Sequence, residues 1–81
     1  MISLKMTEDE AVQVALNQVG LNEKGVTFTK IEMVREDGYQ LWDIGFISAN
    51  TKYEFVIDAL TGCVLVRLSS RLHSHDGERI G

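Results

Sequence analysis

The stretch that decides the fold is Lys52-Tyr53-Glu54-Phe55-Val56-Ile57-Asp58-Ala59-Leu60-Thr61-Gly62. Tyr53, Phe55 and Ile57 recur at every second position, the period at which side chains share one face of a sheet. Asp58 can accept hydrogen bonds from the amides that follow it, and Gly62 can adopt the positive φ that returns the chain to the sheet. The stretch therefore predicts a strand with an inward apolar face, closed by a hairpin turn.

A helix is predicted near the start of the chain. Thr7 and Glu10 have the spacing of a capping box, in which each side chain bonds an amide at the helix start. Gly20 can end the helix in a left-handed conformation. Between them, the apolar residues recur three or four positions apart, as expected for one buried stripe. They are Ala11, Val12, Ala15, Leu16 and Val19.

Three further strands are predicted, over residues 26–35, 39–48 and 63–68. In the first, the apolar positions change from even to odd numbers, which predicts a bulge near Thr29. In the second, Trp42, Ile44 and Phe46 form the inward face. The order of the elements predicts an α+β fold, with one N-terminal helix packed on a four-stranded antiparallel meander.

The length predicts one domain. We expect it to span residues 1–68, with a polar, flexible C-terminal tail over residues 69–81. A domain of this size buries only roughly 60% of the surface of its unfolded chain, so its apolar residues are needed for the core. We therefore expect no cofactor.

Composition excludes several classes of function. The net charge is −4 with only eight lysines and arginines, so nucleic acid is not an expected partner. The longest uncharged apolar run, residues 63–66, is far shorter than the roughly 18 residues of a membrane span. Residues 1–5 lack the pattern of a secretory signal, so the chain is expected either to be cytoplasmic or to begin after its signal.

No catalytic or metal site is predicted. His73, His75 and Asp76 carry groups that bind zinc, but they lie in the predicted tail without a further ligand at a fixed spacing. Cys63 is the only cysteine, which excludes an internal disulfide, and no histidine lies near it in the sequence. Because nucleophilic catalysis needs a nucleophile, a base and an orienting group on a rigid core, we expect no enzyme activity.

The order and spacing of these segments resemble those of a PepSY domain. The resemblance rests on the capped helix, the strand Val26-x-Phe28-x-Lys30-Ile31-Glu32, the acidic turn at residues 36–38, Trp42, and the segment from Tyr53 through Asp58 and Thr61 to Gly62. The sequence departs from the family pattern at two places. Gly45 stands where the family usually has a polar side chain, and residues 69–81 match no part of the pattern.

The resemblance implies a non-catalytic interaction module. PepSY domains occur in propeptides of thermolysin-like metallopeptidases and in cell-wall or spore-associated proteins, where they are thought to restrain or regulate peptidases. It thus implies a location outside the cytoplasm and, as partner, a peptidase or a second copy of the chain. The alternative is a small cystatin-like domain that binds a ligand or catalyses a reaction in its concave sheet, which would require a pocket between helix and sheet.

An interaction surface is predicted on the sheet. Four apolar residues alternate with the inward set and should point away from the helix, and the last strand should form an exposed edge that can pair with another strand. Scattered outward apolar residues are also common without any role, so this alternative stays open. The residues of the predicted surface are Val34, Leu41, Ile47 and Val56 on the outward face, and Cys63, Leu65 and Val66 on the edge.

Overall fold

A computed structural model describes residues 5–72 and confirms the predicted α+β fold. One helix is followed by a four-stranded antiparallel sheet in which the strand order is the order of the sequence, so that β1 and β4 are the edges. The elements are α1 (Glu8–Val19), a 3-10 turn (Glu23–Gly25), β1 (Thr27–Glu36), β2 (Tyr39–Ser48), β3 (Thr51–Asp58) and β4 (Val64–Arg71).

Both ends of α1 have the predicted caps. The backbone N–H of Glu10 donates to the Thr7 hydroxyl, and the backbone N–H of Thr7 donates to the Glu10 carboxylate, which together make the capping box. Gly20 ends the helix at a φ of 70°, and the N–H of Leu21 then donates to the carbonyl of Leu16 at 3.1 Å. The length of the helix is thus set by short-range chemistry.

The core lies between α1 and the inner face of the sheet, which is the face that α1 covers. Phe46 is its centre, with the Phe55 ring stacked at 6.0 Å between centroids and the Phe28 ring edge-on at 5.8 Å. None of the described residues places a charged side chain in this core. The buried residues of the cluster are Ala11, Val12, Ala15, Leu16, Ile44, Phe46, Phe55 and Ile57.

Trp42 lies on the predicted face, but it is only half-buried. Its indole N–H donates to the backbone carbonyl of Met6 at 3.0 Å, and the N–H of Met6 in turn donates to the carbonyl of Ala59. The ring packs against the core, but it stays partly exposed where its polar N–H bonds the segment that precedes α1. Trp42 thereby ties the start of the helix to the sheet.

The predicted bulge is confirmed. The pairing of β1 with β2 shifts between Phe28 and Lys30, which leaves Thr29 as the extra residue. Its hydroxyl lies close to Gly45 on β2, so that a Cβ at residue 45 would come within 2.8 Å of the Thr29 Oγ1. This contact gives a physical reason for glycine at the position where the sequence departs from the family pattern.

The last strand differs from its prediction at both ends. It begins at Val64 and continues to Arg71, so the first three residues of the predicted tail belong to the sheet. They pair with residues 51–53 of β3, and the N–H of Leu72 donates to the carbonyl of Asn50 at 2.7 Å. The prediction failed because backbone pairing with β3 does not require apolar side chains. Residues 73–81, with His73, His75 and Asp76, lie outside the described residues.

Replacement of the capping threonine tests the start of α1. Thr7→Ala removes the acceptor for the Glu10 N–H and is expected to lower the free energy of unfolding by about 0.5–2 kcal/mol. Thr7→Ser keeps the hydroxyl and should retain most of the stability. Denaturant titrations of the three proteins measure the difference, and equal midpoints for the wild type and Thr7→Ala would contradict the capping role.

A double-mutant cycle tests the contact between the bulge and Gly45. Gly45→Ala is expected to cost about 1–3 kcal/mol, because the new methyl group would overlap the Thr29 hydroxyl. In a Thr29→Ala background the same change should be neutral or stabilising, since alanine is favoured over glycine inside a strand.

Thr27→Ala, at an exposed threonine on the same strand, is the control background and should leave the cost of Gly45→Ala unchanged. Unfolding free energies of the single and double variants give the coupling between residues 29 and 45. A coupling below about 0.3 kcal/mol would show that the close approach has no energetic consequence.

Candidate interaction surface

The turn between β3 and β4 fixes where the edge strand begins. The Asp58 carboxylate accepts hydrogen bonds from the N–H groups of Leu60, at 2.8 Å, and Thr61, at 3.2 Å. The Thr61 hydroxyl accepts from the N–H of Cys63, and Gly62 has a φ of 79°. The predicted turn chemistry of Asp58 and Gly62 is confirmed, and the bond to the Thr61 hydroxyl is an additional feature of the turn.

The structure places Cys63 in this turn and not on the edge strand. Its side chain is exposed, and its carbonyl accepts the N–H of Asp58 at 2.8 Å. The prediction of Cys63 as a residue of the last strand is therefore wrong. The reason is that closure of the turn uses its backbone, so β4 starts one residue later.

The four predicted outward residues lie on the outer face of the sheet, which is the face opposite α1. Val34 is paired with Leu41 across β1 and β2, and Val56 is paired with Val66 across β3 and β4. Directly paired residues share a face, so these pairs form apolar contacts on that side. Ile47 lies further along β2 on the same face. The four residues predicted for this face, Val34, Leu41, Ile47 and Val56, are half-buried.

Strand β4 is the more exposed part of the surface. The side chains of Leu65, Val66 and Leu68 keep 54%, 39% and 56% of their accessible area. Leu65 is the extra residue where the pairing of β4 with β3 shifts, whereas residues 66–71 pair without interruption. The edge therefore offers a regular segment of six residues, and its backbone groups on the side away from β3 face no strand among residues 5–72.

The surface predicted from the sequence did not include Leu68, Arg67 or Arg71, although the first two lie within the predicted strand 63–68. Leu68 is paired with Glu54 and lies on the outer face, next to Val66 along the strand. Arg67 and Arg71 are both exposed and lie on the other side of β4, opposite Phe55 and Thr51. The alternation of Val66 and Leu68 within the predicted strand was the available signal for Leu68, whereas Arg71 lies beyond the predicted end of the strand.

Three surface recesses of the described residues lie at the loops and on the sheet. One of about 230 Å³ is lined by Lys5, the start of β2 and the turn after β3, and the two others lie beside β4. None of these three has a residue of α1 in its lining. Among residues 5–72, no cluster of side chains has the composition of a metal site, and no helix has the length and apolarity needed to cross a membrane.

These features define a small one-helix, four-stranded domain with a packed interior and an open sheet edge. The family model described as "Peptidase propeptide and YPEB domain", PepSY, matches residues 5–65. The chain belongs to the PepSY family, as the sequence resemblance indicated. Domains of this family are generally non-catalytic propeptide or regulatory modules, and they are often extracellular or associated with the cell envelope.

Among curated proteins, the chain is similar to the "Uncharacterized protein Spy1430" of Streptococcus pyogenes serotype M6. The two are 26% identical over 70 residues, which cover 86% of this chain and 54% of that protein. The chain thus spans about half the length of the curated relative that it matches. No solved structure matches the chain at a significant level.

Proposed function

We propose that this chain is a non-catalytic module that binds a peptidase through the edge and outer face of its sheet and restrains the activity of that peptidase. The chain belongs to a family whose description names peptidase propeptides, and this membership supports a peptidase as the partner. The observation that carries the proposal is the exposed strand β4, whose outer backbone groups face no strand among residues 5–72 and can take up another strand. Pairing of this kind gives affinity through main-chain hydrogen bonds and specificity through alternate side chains.

The packed interior favours this function over a cystatin-like ligand-binding or catalytic domain. Such a domain would need a cavity with polar groups between helix and sheet, whereas Leu16, Ile44, Phe46, Phe55 and Ile57 fill that space and are fully buried. Titratable side chains of the described residues lie outside this core. A function at the surface of the sheet is therefore the better supported of the two.

The envelope or the extracellular space is the proposed place of action. The support is that PepSY domains are often extracellular or associated with the cell envelope. The single cysteine is compatible with this location, because it cannot form an internal disulfide in any redox compartment.

An inhibition assay tests the proposed function. The chain is titrated into a purified thermolysin-like metallopeptidase from the same organism, and the hydrolysis of a quenched fluorescent peptide is followed. We expect a saturable fall in rate. Leu65→Lys, which places a charge on the exposed edge, should weaken inhibition at least tenfold without unfolding the domain.

Leu60→Lys is the matched control, because Leu60 is another exposed leucine, 69% accessible, but belongs to the turn before β4. It should inhibit like the wild type. A rate unchanged by the wild-type chain for every such peptidase of the organism would contradict the proposed function. Equal loss of inhibition in both variants would contradict the assignment to the edge.

A further inference from the structure

The two arginines of β4 carry positive charge to the open edge. Arg67 and Arg71 are four residues apart and are paired with Phe55 and Thr51. Phe55 and Thr51 lie on the same side of β3, so both arginines lie on one side of β4. Both side chains are exposed. Ion pairs between described residues join Lys30 to Asp43 and Lys52 to Glu54, and neither involves these arginines.

This edge differs in charge from the rest of the chain. The protein has a net charge of −4, yet β4 reads Val-Leu-Val-Arg-Leu-Ser-Ser-Arg and contains no acidic residue. The opposite edge, β1, mixes acidic residues such as Glu32 and Glu36 with Lys30 and Arg35. A positive edge on an acidic protein favours a partner strand that is negatively charged.

The same charges disfavour a second copy of the chain at this edge. Two β4 strands related by a two-fold axis would bring four arginines to one seam, and β4 supplies no carboxylate to separate them. Charged residues on an edge strand are a known means of preventing pairing between identical chains. An acidic strand would instead be attracted by the arginines. The two arginines therefore disfavour a second copy of the chain at this edge and favour an acidic partner strand.

The two sides of β4 specify a pattern for that strand. Val66 and Leu68 lie on the outer face, while Arg67 and Arg71 lie on the other side. A strand paired with the regular segment 66–71 would place acidic residues, four positions apart, opposite the arginines. Its apolar residues would alternate with them and cover Val66 and Leu68.

We propose that β4 takes up an extended segment of a partner protein that has two acidic residues four positions apart, with apolar residues on its other face. The inference rests on the proposed function, because it names the chemistry of the partner at the same edge. It is tested with a peptide and without any peptidase. This binding test and the inhibition assay above can therefore fail independently.

The probe is the acetylated and amidated peptide Thr-Glu-Thr-Thr-Val-Glu-Val-Thr, which fits antiparallel pairing with residues 66–71. Its glutamates fall opposite Arg71 and Arg67, and its valines fall opposite Leu68 and Val66. Backbone amide shifts of the ¹⁵N-labelled full chain are followed by NMR as the peptide is added. We expect saturable shifts confined to β4 and its neighbours on β3, which weaken as salt is raised.

Peptide and protein variants separate charge from pairing. The peptide with glutamine in place of both glutamates should bind at least fivefold more weakly. A fivefold change in affinity corresponds to about 1 kcal/mol, which is the upper end of the range for one exposed ion pair. The double variant Arg67→Glu and Arg71→Glu should lose the acidic peptide and instead bind the peptide with lysine at both positions. Arg35→Glu on β1, which makes half of that charge change on the other edge, should leave binding unchanged.

Four results would overturn the proposal. The first is equal affinity for the glutamate and glutamine peptides. The second is a set of shifts located on β1. The third is the absence of shifts at a peptide concentration of about 1 mM, which corresponds to less than about 4 kcal/mol of binding free energy. The fourth is dimerisation of the wild-type chain through β4 in sedimentation, since a second copy would then be the occupant.

Discussion

The structure depends on one constraint: a single helix of twelve residues can cover only one side of a four-stranded sheet. α1 buries its stripe of alanines, Val12 and Leu16 against the inner face, and the aromatic rings of β1, β2 and β3 fill the rest of that layer. The described residues provide no second helix for the outer face. Apolar side chains on that face and the backbone of β4 are therefore available to another molecule.

Local devices ensure that the correct side chains face the helix. The bulge at Thr29 shifts the register of β1 by one residue, which brings Phe28 and Ile31 to the same face although their positions differ in parity. The turn at Asp58 sets the start of β4, and the hydrogen bond from the Trp42 indole to Met6 holds the segment before α1 against the sheet. A fold with a small core depends on such devices, because a register shift by one residue would expose its whole apolar set.

The sequence was informative where a few neighbouring residues determine the structure. The capping box at Thr7, the bulge near Thr29 and the turn at Asp58 were all predicted, since each depends on residues within a few positions of one another. The end of β4 could not be predicted, because it depends on pairing with the distant residues 51–53. The same limit left Arg71 outside the predicted strand, so the placement of Arg67 and Arg71 along one side of β4 was not apparent from the sequence.

The central claim is that β4 is an open edge in the isolated chain, and backbone amide hydrogen exchange tests it most directly. The account predicts slow exchange for the amides of β2 and β3 that are bonded within the sheet. Along residues 66–71 it predicts alternation, with amides bonded to β3 protected and those directed away from it exchanging at nearly the rate of an unfolded chain. Uniform protection along β4 in a monomer would contradict the account, because it would show that the chain covers its own edge.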